Sequence, residues 1–497
     1  VRTFSFTSPS NCSEPVRLIL SLKTGSVGGA AAGKPADSPL TIAWHTNEDD
    51  QPRPLPLHRL LLPWVDPSAN ADSAAEFSNR QLAELEGGSW GRGRRVFHSE
   101  AAGCFKCHSI GGTSVTGGTS VTGVGAVIGP DLKNIVHRDY SSVVRDITNP
   151  SYAINPDYIG HVVELKSGKV LTGVLRTVDG RLLLGDAQGK TTELNRNDIE
   201  TMLPAKISVM PQGIFEKLSA EQQKDLLTFL LTPPPHMPLD SPLTAPPLRT
   251  QAEVAAALSG SAELPSTLRP LQLVLVAGPK DHGPGEHDYP AWQQQWLELL
   301  SGADNVAVET AWEFPNDDQL ASADVLLFFQ KGSFSESRPA KLDAFLQRGG
   351  GAVYIHWAVN GNDQVQPFSE RIGYASWGGR IKFRHGPLTL DFHNTDHPIL
   401  RNYDRLQLYD ESYWKLTGRP EDVTLLATST EDDMPTPQMW IRDHNPGRVF
   451  VSIPGHYSWT FDDPLFRILL LRGLAWTAQE PINRFNPLVT PGARMAR

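Results

Sequence analysis

Apolar and polar side chains alternate along two stretches of the N-terminal half of the chain, and this alternation predicts β-structure. Residues 161–202 alternate over several short runs that are separated by Gly-containing turn signals, which predicts a β-meander. Shorter alternation in VRTFSF and VRLILSLKTG predicts a small β-module, which occupies residues 1–85 together with a polar connector.

Continuous apolar runs replace this alternation in the C-terminal half, as expected of strands that are covered on both faces. Helical patterns at 289–300 and 338–349 separate the first of these runs. Alternating strands and helices predict an open, mostly parallel α/β sheet of the flavodoxin-like type. The five runs are LQLVLVAG (271–278), ADVLLFF (323–329), GAVYIHW (351–357), DVTLLAT (422–428) and GRVFVSI (447–453).

Helix and linker signals complete a multidomain division of the chain. A helix is predicted from residue 87 into the CFKCH stretch at 104–108, and a second over 219–232, where Ser219 and Gln222 have the spacing of a capping box. Proline-rich sequence at 233–247 marks a boundary. The predicted segments are the β-module with its connector (1–85), a mostly α-helical domain with the meander as an insertion (86–232), a linker (233–267), the α/β domain (268–480) and a tail (481–497).

Charge and composition limit the classes of partner. The net charge of -10 argues against an electrostatic grip on nucleic acid or on anionic lipid. No apolar run has the length of a transmembrane helix. The chain begins at Val1 without an initiator methionine, so we expect that a signal peptide or another precursor segment has been removed. Cys12 stands alone and is predicted to be a small buried apolar side chain.

Two of the three cysteines form a C-x-x-C-H motif with Cys104, Cys107 and His108. Thiols at this spacing can add to the two vinyl groups of a haem, while the next residue reaches the iron. A disulfide or half a zinc site is the alternative, but the chain has no second C-x-x-C pair for zinc. Met210, in the turn-rich ISVMPQGIF, is the preferred second axial ligand over Met202, which we interpret as an apolar plug at the end of the meander.

Residues 86–232 resemble the haem-binding cytochrome domain that is common in planctomycetes. The resemblance rests on the helix, the C-x-x-C-H motif, GPDL, the meander insertion, SVMPQG and QQKDLLTFL. It implies one covalent haem c on Cys104 and Cys107, with the iron between axial His108 and Met210. It also implies that a Gly129-Pro130 turn packs against the proximal histidine.

The cytochrome resemblance carries expectations about role and compartment. Histidine and methionine ligation leaves no open position on iron, which favours electron transfer over catalysis at the haem. The expected partner is a redox protein, either a dehydrogenase or an oxidase. Cytochrome c maturation resembles export, so a periplasmic or extracellular location is expected.

Histidines gather where the predicted strands of the α/β domain end. In open α/β sheets, function gathers at the carboxyl ends of the strands. A single histidine there is usually structural, but several can share a metal ion or a proton relay. His385 and His397 are weaker candidates. The predicted site residues are His282, in a turn with Glu286 and His287, then His356, Glu411 in QLYDESYW, and His456.

The C-terminal domain resembles the trehalose-utilisation (ThuA-like) domain of the class I glutamine-amidotransferase-like superfamily. The resemblance is carried by GGGAVYIHWAV, DHPI, DESYW and the segment from PQMWIRDH to LRGLAWTA. Amidotransferases place a nucleophilic cysteine after a strand where this chain has His356. No cysteine follows Cys107, so thiolate chemistry on glutamine is excluded.

The ThuA-like resemblance implies carbohydrate metabolism on glycosides or their keto derivatives. We expect His356 or Glu411 to remove a proton beside a carbonyl or to activate water, and His456 and His282 to orient substrate or to bind a divalent metal ion. Four aromatic residues are candidates for stacking on sugar rings, with a place in the core as the alternative. They are Trp357, Trp414, Tyr457 and Trp459.

Three functions remain open at this point. The first is a redox-coupled sugar enzyme, in which the haem takes electrons from a dehydrogenation and the α/β domain transforms the oxidised sugar. The second is an electron-transfer protein whose α/β domain binds sugar or docks a partner without turnover. The third is a metal-dependent hydrolase to which the haem is incidental. The sequence alone does not decide whether the α/β domain is an enzyme.

Overall fold

The computed structural model describes residues 43–44, 53–54, 82–110, 114–116, 119–121, 128–178, 180–335 and 337–496. The predicted N-terminal β-module and Cys12 lie outside this part, apart from a pair of two-residue strands, β1 (Ala43–Trp44) and β2 (Arg53–Pro54). This pair belongs to a compact unit of its own, Val1–Arg59, and the remaining chain forms a second unit, Leu60–Arg497.

The second unit begins with a small helical core. Its helices are α1 (Trp90–Phe97), α2 (Tyr140–Thr148) and α3 (Ala220–Leu231), and two short strands, β3 (Ser114–Thr116) and β4 (Thr119–Val121), form a separate pair. Aromatic rings from α1 and α3 pack together, with the Trp90 and Phe229 centroids 5.0 Å apart. The predicted capping box of α3 is confirmed, because the Ser219 and Gln222 side chains each accept a backbone N–H of the other.

The predicted helix into the C-x-x-C-H motif ends earlier than expected, at Phe97. The Ser99 hydroxyl bonds to the Val96 carbonyl and accepts the Ala102 N–H, and such local bonds compete with the helical ones. Gly103 then adopts a left-handed φ of 62°, which a helix cannot continue through. The first cysteine lies on a separate single turn, Cys104–Lys106.

The predicted β-meander is confirmed as a five-stranded antiparallel sheet. A small core of Val163, Leu184 and Leu194 lies on one face. Met202 is 41% exposed, so its predicted role as an apolar plug is wrong. The strands are β5 (Gly160–Leu165), β6 (Val170–Val178), β7 (Arg181–Gly185), β8 (Thr191–Leu194) and β9 (Ile199–Pro204).

A nine-stranded mixed sheet forms the C-terminal domain, in the order β11-β10-β12-β13-β20-β19-β18-β15-β16. The predicted α/β class is confirmed, but the sheet is not mostly parallel. The strands are β10 (Leu271–Ala277), β11 (Val306–Trp312), β12 (Val325–Phe329), β13 (Gly351–Ile355), β15 (Lys382–Phe392), β16 (Arg405–Trp414), β18 (Thr424–Glu431), β19 (Met434–Asp443) and β20 (Arg448–Ser452), with a separate pair of β14 (Tyr374–Ala375) and β17 (Thr417–Gly418).

The first five strands of this order, from β11 to β20, are parallel to one another. From β20 to β16, each strand is antiparallel to the next. The sequence pattern did not separate the two halves, because DVTLLAT is apolar enough for a strand of either kind. Three of its seven residues, 426–428, are buried in an antiparallel strand, and 429 and 431 beyond them are buried as well. A buried run therefore predicts a covered strand and leaves its direction open.

Helices cover both faces of the sheet. One apolar cluster includes Trp292, Trp296 and Leu469, and the other includes Phe345 and Phe368. A helix also lies within the predicted linker, at Gln251–Leu258. The helices are α4 (Gln251–Leu258), α5 (Tyr289–Leu300), α6 (Asp317–Ser322), α7 (Arg338–Gln347), α8 (Val365–Ile372), α9 (Ser458–Asp462) and α10 (Pro464–Thr477).

The helical core is packed directly against the α/β domain. The Glu298 carboxylate, near the end of α5, accepts the Ser89 hydroxyl at 2.8 Å and the Gly91 N–H at 3.0 Å. These bonds place a negative charge at the N-terminus of α1, where the helix dipole favours it. Among the helices of the described residues, none has the length and apolarity needed to cross a membrane.

Candidate functional site

Four side chains that can bind a metal ion converge in the α/β domain. Their ligand atoms all lie within 4.8 Å of one another, and all four residues are buried. Three of them follow strands β10, β13 and β20, whose carboxyl ends meet at one edge of the parallel half-sheet. The fourth lies within β16. The four residues are His287, His356, Glu411 and His456.

The Nε2 atom of His356 lies at the centre of this cluster. It is 2.8 Å from His287 Nε2, 2.9 Å from the Tyr413 hydroxyl and 3.2 Å from His456 Nδ1. Glu411 Oε2 lies 3.1 Å from the same nitrogen. One imidazole nitrogen carries either one hydrogen or one lone pair, so it cannot satisfy four polar neighbours by hydrogen bonding.

The Nδ1 atoms of His356 and His287 point away from the cluster, and their hydrogen bonds show that the Nε2 atoms of both rings face its centre. His356 Nδ1 lies 2.7 Å from the Ile453 carbonyl oxygen, and His287 Nδ1 lies 2.8 Å from Asp281 Oδ1. Carbonyl and carboxylate oxygens only accept, so both Nδ1 atoms carry hydrogen and both Nε2 atoms present lone pairs. A ring nitrogen held in this way by an oxygen is the usual arrangement of a metal-binding histidine.

His456 completes the set from the opposite side. Its Nδ1 lies 2.9 Å from Glu411 Oε2. Its Nε2 is buried and has no hydrogen-bond partner, and the carboxylate of Glu286 lies 3.7 Å away. With Nδ1 as the ligand atom, Nε2 would carry the hydrogen and face Glu286. All three histidines then have the same arrangement, one nitrogen inward and one towards an oxygen.

The backbone around the cluster is held in uncommon conformations. His287 and His356 have left-handed φ values of 42° and 56°, which cost free energy for residues other than glycine. Gly455, next to His456, has a φ of 142°, and a Cβ there would lie 2.8 Å from an Ile355 methyl carbon. Such strain persists only where surrounding packing enforces it, and it clusters at functional sites.

Buried Asp410 fixes the turn that carries His456. Its Oδ1 accepts the Gly455 N–H at 3.1 Å and the His456 N–H at 3.0 Å. The Thr460 hydroxyl donates to its other oxygen. A carboxylate that accepts several bonds of this kind is a rigid support for the neighbouring histidine.

The cluster combines the carboxylate of Glu411 with the neutral imidazole of His287. Burial alone would raise the pKa of Glu411, but the close contacts with the imidazole rings of His356 and His456 outweigh it and hold this pKa well below its usual range. Burial lowers the pKa of His287 to about 2, so this ring is neutral at physiological pH. Within the described part of the chain, no lysine or arginine forms an ion pair with Glu411 or Asp281.

The structure brings together three of the four predicted site residues, His356, Glu411 and His456. His282 lies outside the cluster, and its place is taken by His287 from the same turn. The His282 side chain is 42% exposed and its Nδ1 lies 3.0 Å from Asp281 Oδ1. This hydrogen bond raises the pKa of His282. The sequence places both histidines in one turn, but their spacing alone does not show which ring points into the cluster.

The two weaker histidine candidates have different positions. His385 lies beside the cluster, with its Nε2 3.4 Å from Glu411 Oε1. His397 lies at the start of a short turn, where its Nδ1 accepts the Ile399 N–H at 3.4 Å.

The predicted sugar-stacking residues are largely unavailable for that role. Tyr457 and Trp459 are 1% and 2% exposed, and they stack on each other with centroids 4.4 Å apart. Both belong to the core, so the expectation that they stack on sugar is wrong. The Trp414 indole N–H donates to Asp432 at 2.9 Å. Trp357 is partly buried and meets Tyr413 edge-on at 5.5 Å.

The C-x-x-C-H segment has features that fit haem attachment. Cys104 and Cys107 are not bridged to each other and are partly buried. His108 Nδ1 lies 2.9 Å from the Pro130 carbonyl oxygen, so it carries hydrogen and leaves the Nε2 lone pair for a ligand. A Cβ on Gly129 would lie 2.7 Å from His108 Cε1, so only glycine allows this approach. The Gly129-Pro130 turn therefore lies against the histidine.

The loops of the two predicted axial ligands both border the meander. Ile128, which precedes the His108-contacting turn, packs so closely on Gly185 that an added Cβ would lie 2.3 Å from it. Gly185 pairs with Val174, and Val174 pairs with Gly160. A Cβ on Gly160 would lie 2.9 Å from Val209, the neighbour of Met210. The paired residues Gly185, Val174 and Gly160 of the meander thus connect the loop before Gly129 with the loop that carries Met210.

Comparison with known proteins identifies the C-terminal domain. Residues 274–477 match the family described as ThuA, trehalose utilisation. A ThuA-like protein from Parabacteroides merdae is 19% identical over 42% of this chain and 90% of its own, with a TM-score of 0.34. Another from Bacteroides uniformis is 17% identical over 45% and 98%, with a TM-score of 0.35. No curated protein matches the chain.

The α/β domain is therefore ThuA-like over residues 274–477, as the sequence resemblance predicted. The family match begins at residue 274 and does not reach the cytochrome-like segment. The haem and its ligands accordingly stay a prediction.

Proposed function

We propose that the ThuA-like domain is a metal-dependent, carbohydrate-active enzyme domain in which His287, His356, Glu411 and His456 hold one divalent ion. The crowding around His356 Nε2 carries this proposal, because two lone-pair nitrogens lie 2.8 Å apart with a carboxylate oxygen 3.1 Å away. Such donors repel one another unless a cation lies between them. Ligand atoms that share an ion at about 2.1 Å have separations of this size.

The donor set selects a class of metal. Three imidazoles with one carboxylate suit first-row transition ions such as zinc, manganese or iron, whereas calcium and magnesium prefer oxygen donors. When bound, such an ion acts as a Lewis acid that polarises a carbonyl or hydroxyl oxygen of the substrate.

Two side chains of the domain are placed to handle protons beside the ion. The Tyr413 hydroxyl lies next to the ligand nitrogen of His356. His385 Nε2 faces the carboxylate of Glu411, which only accepts, so this nitrogen carries the hydrogen and Nδ1 can accept from the Tyr457 hydroxyl 3.1 Å away. The His385 side chain is 39% exposed, so its proton can exchange with solvent or with a bound hydroxyl.

The substrate class rests on the family description, trehalose utilisation, and on the partly exposed His385 beside the buried cluster. We propose a glycoside or its keto derivative, with proton removal beside a carbonyl or activation of water as the reaction. The competing function is a ThuA-like domain that binds sugar without turnover.

Metal removal tests this proposal. The protein is stripped with a chelator, reloaded separately with zinc, manganese or iron(II), and incubated with trehalose, other glycosides and 3-keto-glycosides, with products followed by chromatography. We expect turnover only in a reloaded sample, and none with His356→Gln. The matched control is His397→Gln, a histidine of the same domain outside the cluster. Full metal loading without change of any substrate would favour the binding function.

We further propose that the cytochrome-like segment carries one haem c for electron transfer to a redox partner, which would place the protein in the periplasm or outside the cell. The unbridged thiols and the orientation of His108 support this. Cys104 and Cys107 would hold the haem covalently, and His108 and Met210 would be the axial ligands. The haem would supply one-electron transfer. In the coupled form of the proposal, those electrons come from the oxidation of the sugar on which the ThuA-like domain acts.

A pyridine haemochrome spectrum of protein from a host that matures cytochromes tests the haem proposal. We expect a haem c spectrum and a polypeptide mass increased by one haem. A colourless protein with the bare polypeptide mass would contradict it.

A further inference from the structure

The antiparallel hairpin of β15 and β16 places two further side chains on the same face as the cluster. In the register, Phe383 is opposite Tyr413 and His385 is opposite Glu411. Residues directly opposite each other in an antiparallel pair project to the same face, as do residues two apart on one strand. Glu411 and Tyr413 both reach His356, so Phe383 projects from the face on which the cluster lies.

Exposure separates the covered and open parts of that face. Tyr413 is 3% exposed and Glu411 is 4% exposed, whereas Phe383 is 58% exposed. The Phe383 and His385 rings meet at 89° with centroids 5.7 Å apart, so the two residues form one continuous surface. Phe383 is one of twelve large apolar side chains that are exposed among the described residues, and it lies beside the cluster through its contact with His385.

We propose that Phe383 is a stacking platform for a sugar ring at the entrance of the metal site, and this inference rests on the proposed function. The exposed face of an aromatic ring carries partial negative charge, and the C–H groups on one side of a pyranose carry partial positive charge. A ring stacked on Phe383 would present its hydroxyls to His385, whose side chain is the exposed polar neighbour.

Three of the four predicted stacking residues do not compete for this role. Tyr457 and Trp459 are buried in the core. Trp414 is opposite Lys382 in the register, one residue away from the Phe383 pair, and so it projects from the other face of the hairpin. Phe383 has no motif around it that could have drawn attention to it in the sequence, since KFRHG resembles any exposed strand.

Sugar binding by three variants of the full chain tests the platform. Titration calorimetry measures trehalose and methyl α-glucoside binding to the wild type, Phe383→Ala, Phe383→Trp and Trp312→Ala. Trp312 is the matched control, because it is 53% exposed but lies on β11 at the opposite edge of the sheet. We expect Phe383→Ala to weaken binding about tenfold, Phe383→Trp to retain it within about twofold, and Trp312→Ala to leave it unchanged.

Equal binding by the wild type and Phe383→Ala would overturn the platform, and so would a wild type that binds neither sugar. The metal content of each sample, measured in parallel, tests the proposed function separately. A protein that takes up no metal but still loses sugar binding with Phe383→Ala would refute the metal centre and retain the platform. A fully metallated Phe383→Ala variant with unchanged sugar binding would support the metal centre and refute the platform.

Discussion

At the scale of single residues, the candidate site depends on which nitrogen of each histidine points inward. The sequence predicted His356 and His456 because they end strands, and that inference needed only hydrophobic patterning, whereas Glu411 was predicted from the QLYDESYW segment. It could not separate His282 from His287, which lie in one turn. Which of the two rings points into the cluster is set by the left-handed φ of His287 and by Asp281, whose carboxylate oxygen accepts a hydrogen bond from each ring. Such turn geometry has no signature in residue spacing.

Replacement of the central ligand should abolish tight metal binding. His356→Gln removes the nitrogen around which the other donors gather, and we expect its affinity for manganese or zinc to fall by more than about 100-fold in a competition titration with a chelator. His397→Gln should bind as the wild type does. A His356→Gln protein with wild-type affinity would mean that the four residues do not form the site.

A residue that only orients a ligand should have a smaller effect. Asp281→Asn weakens the acceptor that holds His287 Nδ1 at 2.8 Å, so we expect metal affinity to fall about tenfold to 100-fold while the fold is retained. The measurement is the same titration, with circular dichroism as the check on folding. Unchanged affinity would show that His287 does not need this acceptor.

The reactivity of the two motif thiols tests the haem proposal through their pKa values. Burial raises the pKa of Cys104 to about 12 and that of Cys107 to about 11. Alkylation requires the thiolate, so in haem-free Cys12→Ser protein its rate should be low at pH 8 and should rise about tenfold for each pH unit up to about 11. Protein from a host that matures cytochromes should show no alkylation at these positions. Two reactive thiols in that preparation would contradict thioether attachment.

At the scale of elements, continuous apolar runs located four of the five parallel strands and missed both β11 and the hairpin that carries Glu411. β10, β12, β13 and β20 are buried along most of their length, and each was predicted. β15 mixes exposed and buried residues and includes Gly386 and Pro387, which read as a turn in sequence. Its strand character comes from pairing with β16, a long-range contact that local pattern cannot reveal.

The contact of α1 with α5 should hold the helical core on the ThuA-like domain. A Cβ at Gly91 would lie 2.0 Å from the Glu298 carbonyl oxygen and 2.9 Å from the Gly302 nitrogen. Gly91→Val should therefore displace α1 and lower the unfolding midpoint by several degrees, with separation into two transitions. Calorimetry measures this, and exposed Glu216→Ala is the control. A single transition at the wild-type temperature would mean that the contact contributes little to stability.

At the scale of the whole molecule, two predicted chemistries occupy one compact unit. The ThuA-like domain is established by the family match over residues 274–477, and its sheet is half antiparallel rather than mostly parallel. The proposed cytochrome-like character of residues 86–232 depends on the C-x-x-C-H motif and on the geometry around His108. α5 links the two regions, because it begins at Tyr289, two residues after His287, and approaches α1 near its other end.

The most direct measurement of the metal centre is anomalous diffraction from crystals of the purified protein at the absorption edges of zinc, manganese and iron. The account predicts one strong peak about 2.1 Å from the inward atoms of His287, His356, Glu411 and His456. A metal-loaded crystal with no peak among these four side chains, or with its metal bound elsewhere in the domain, would contradict it.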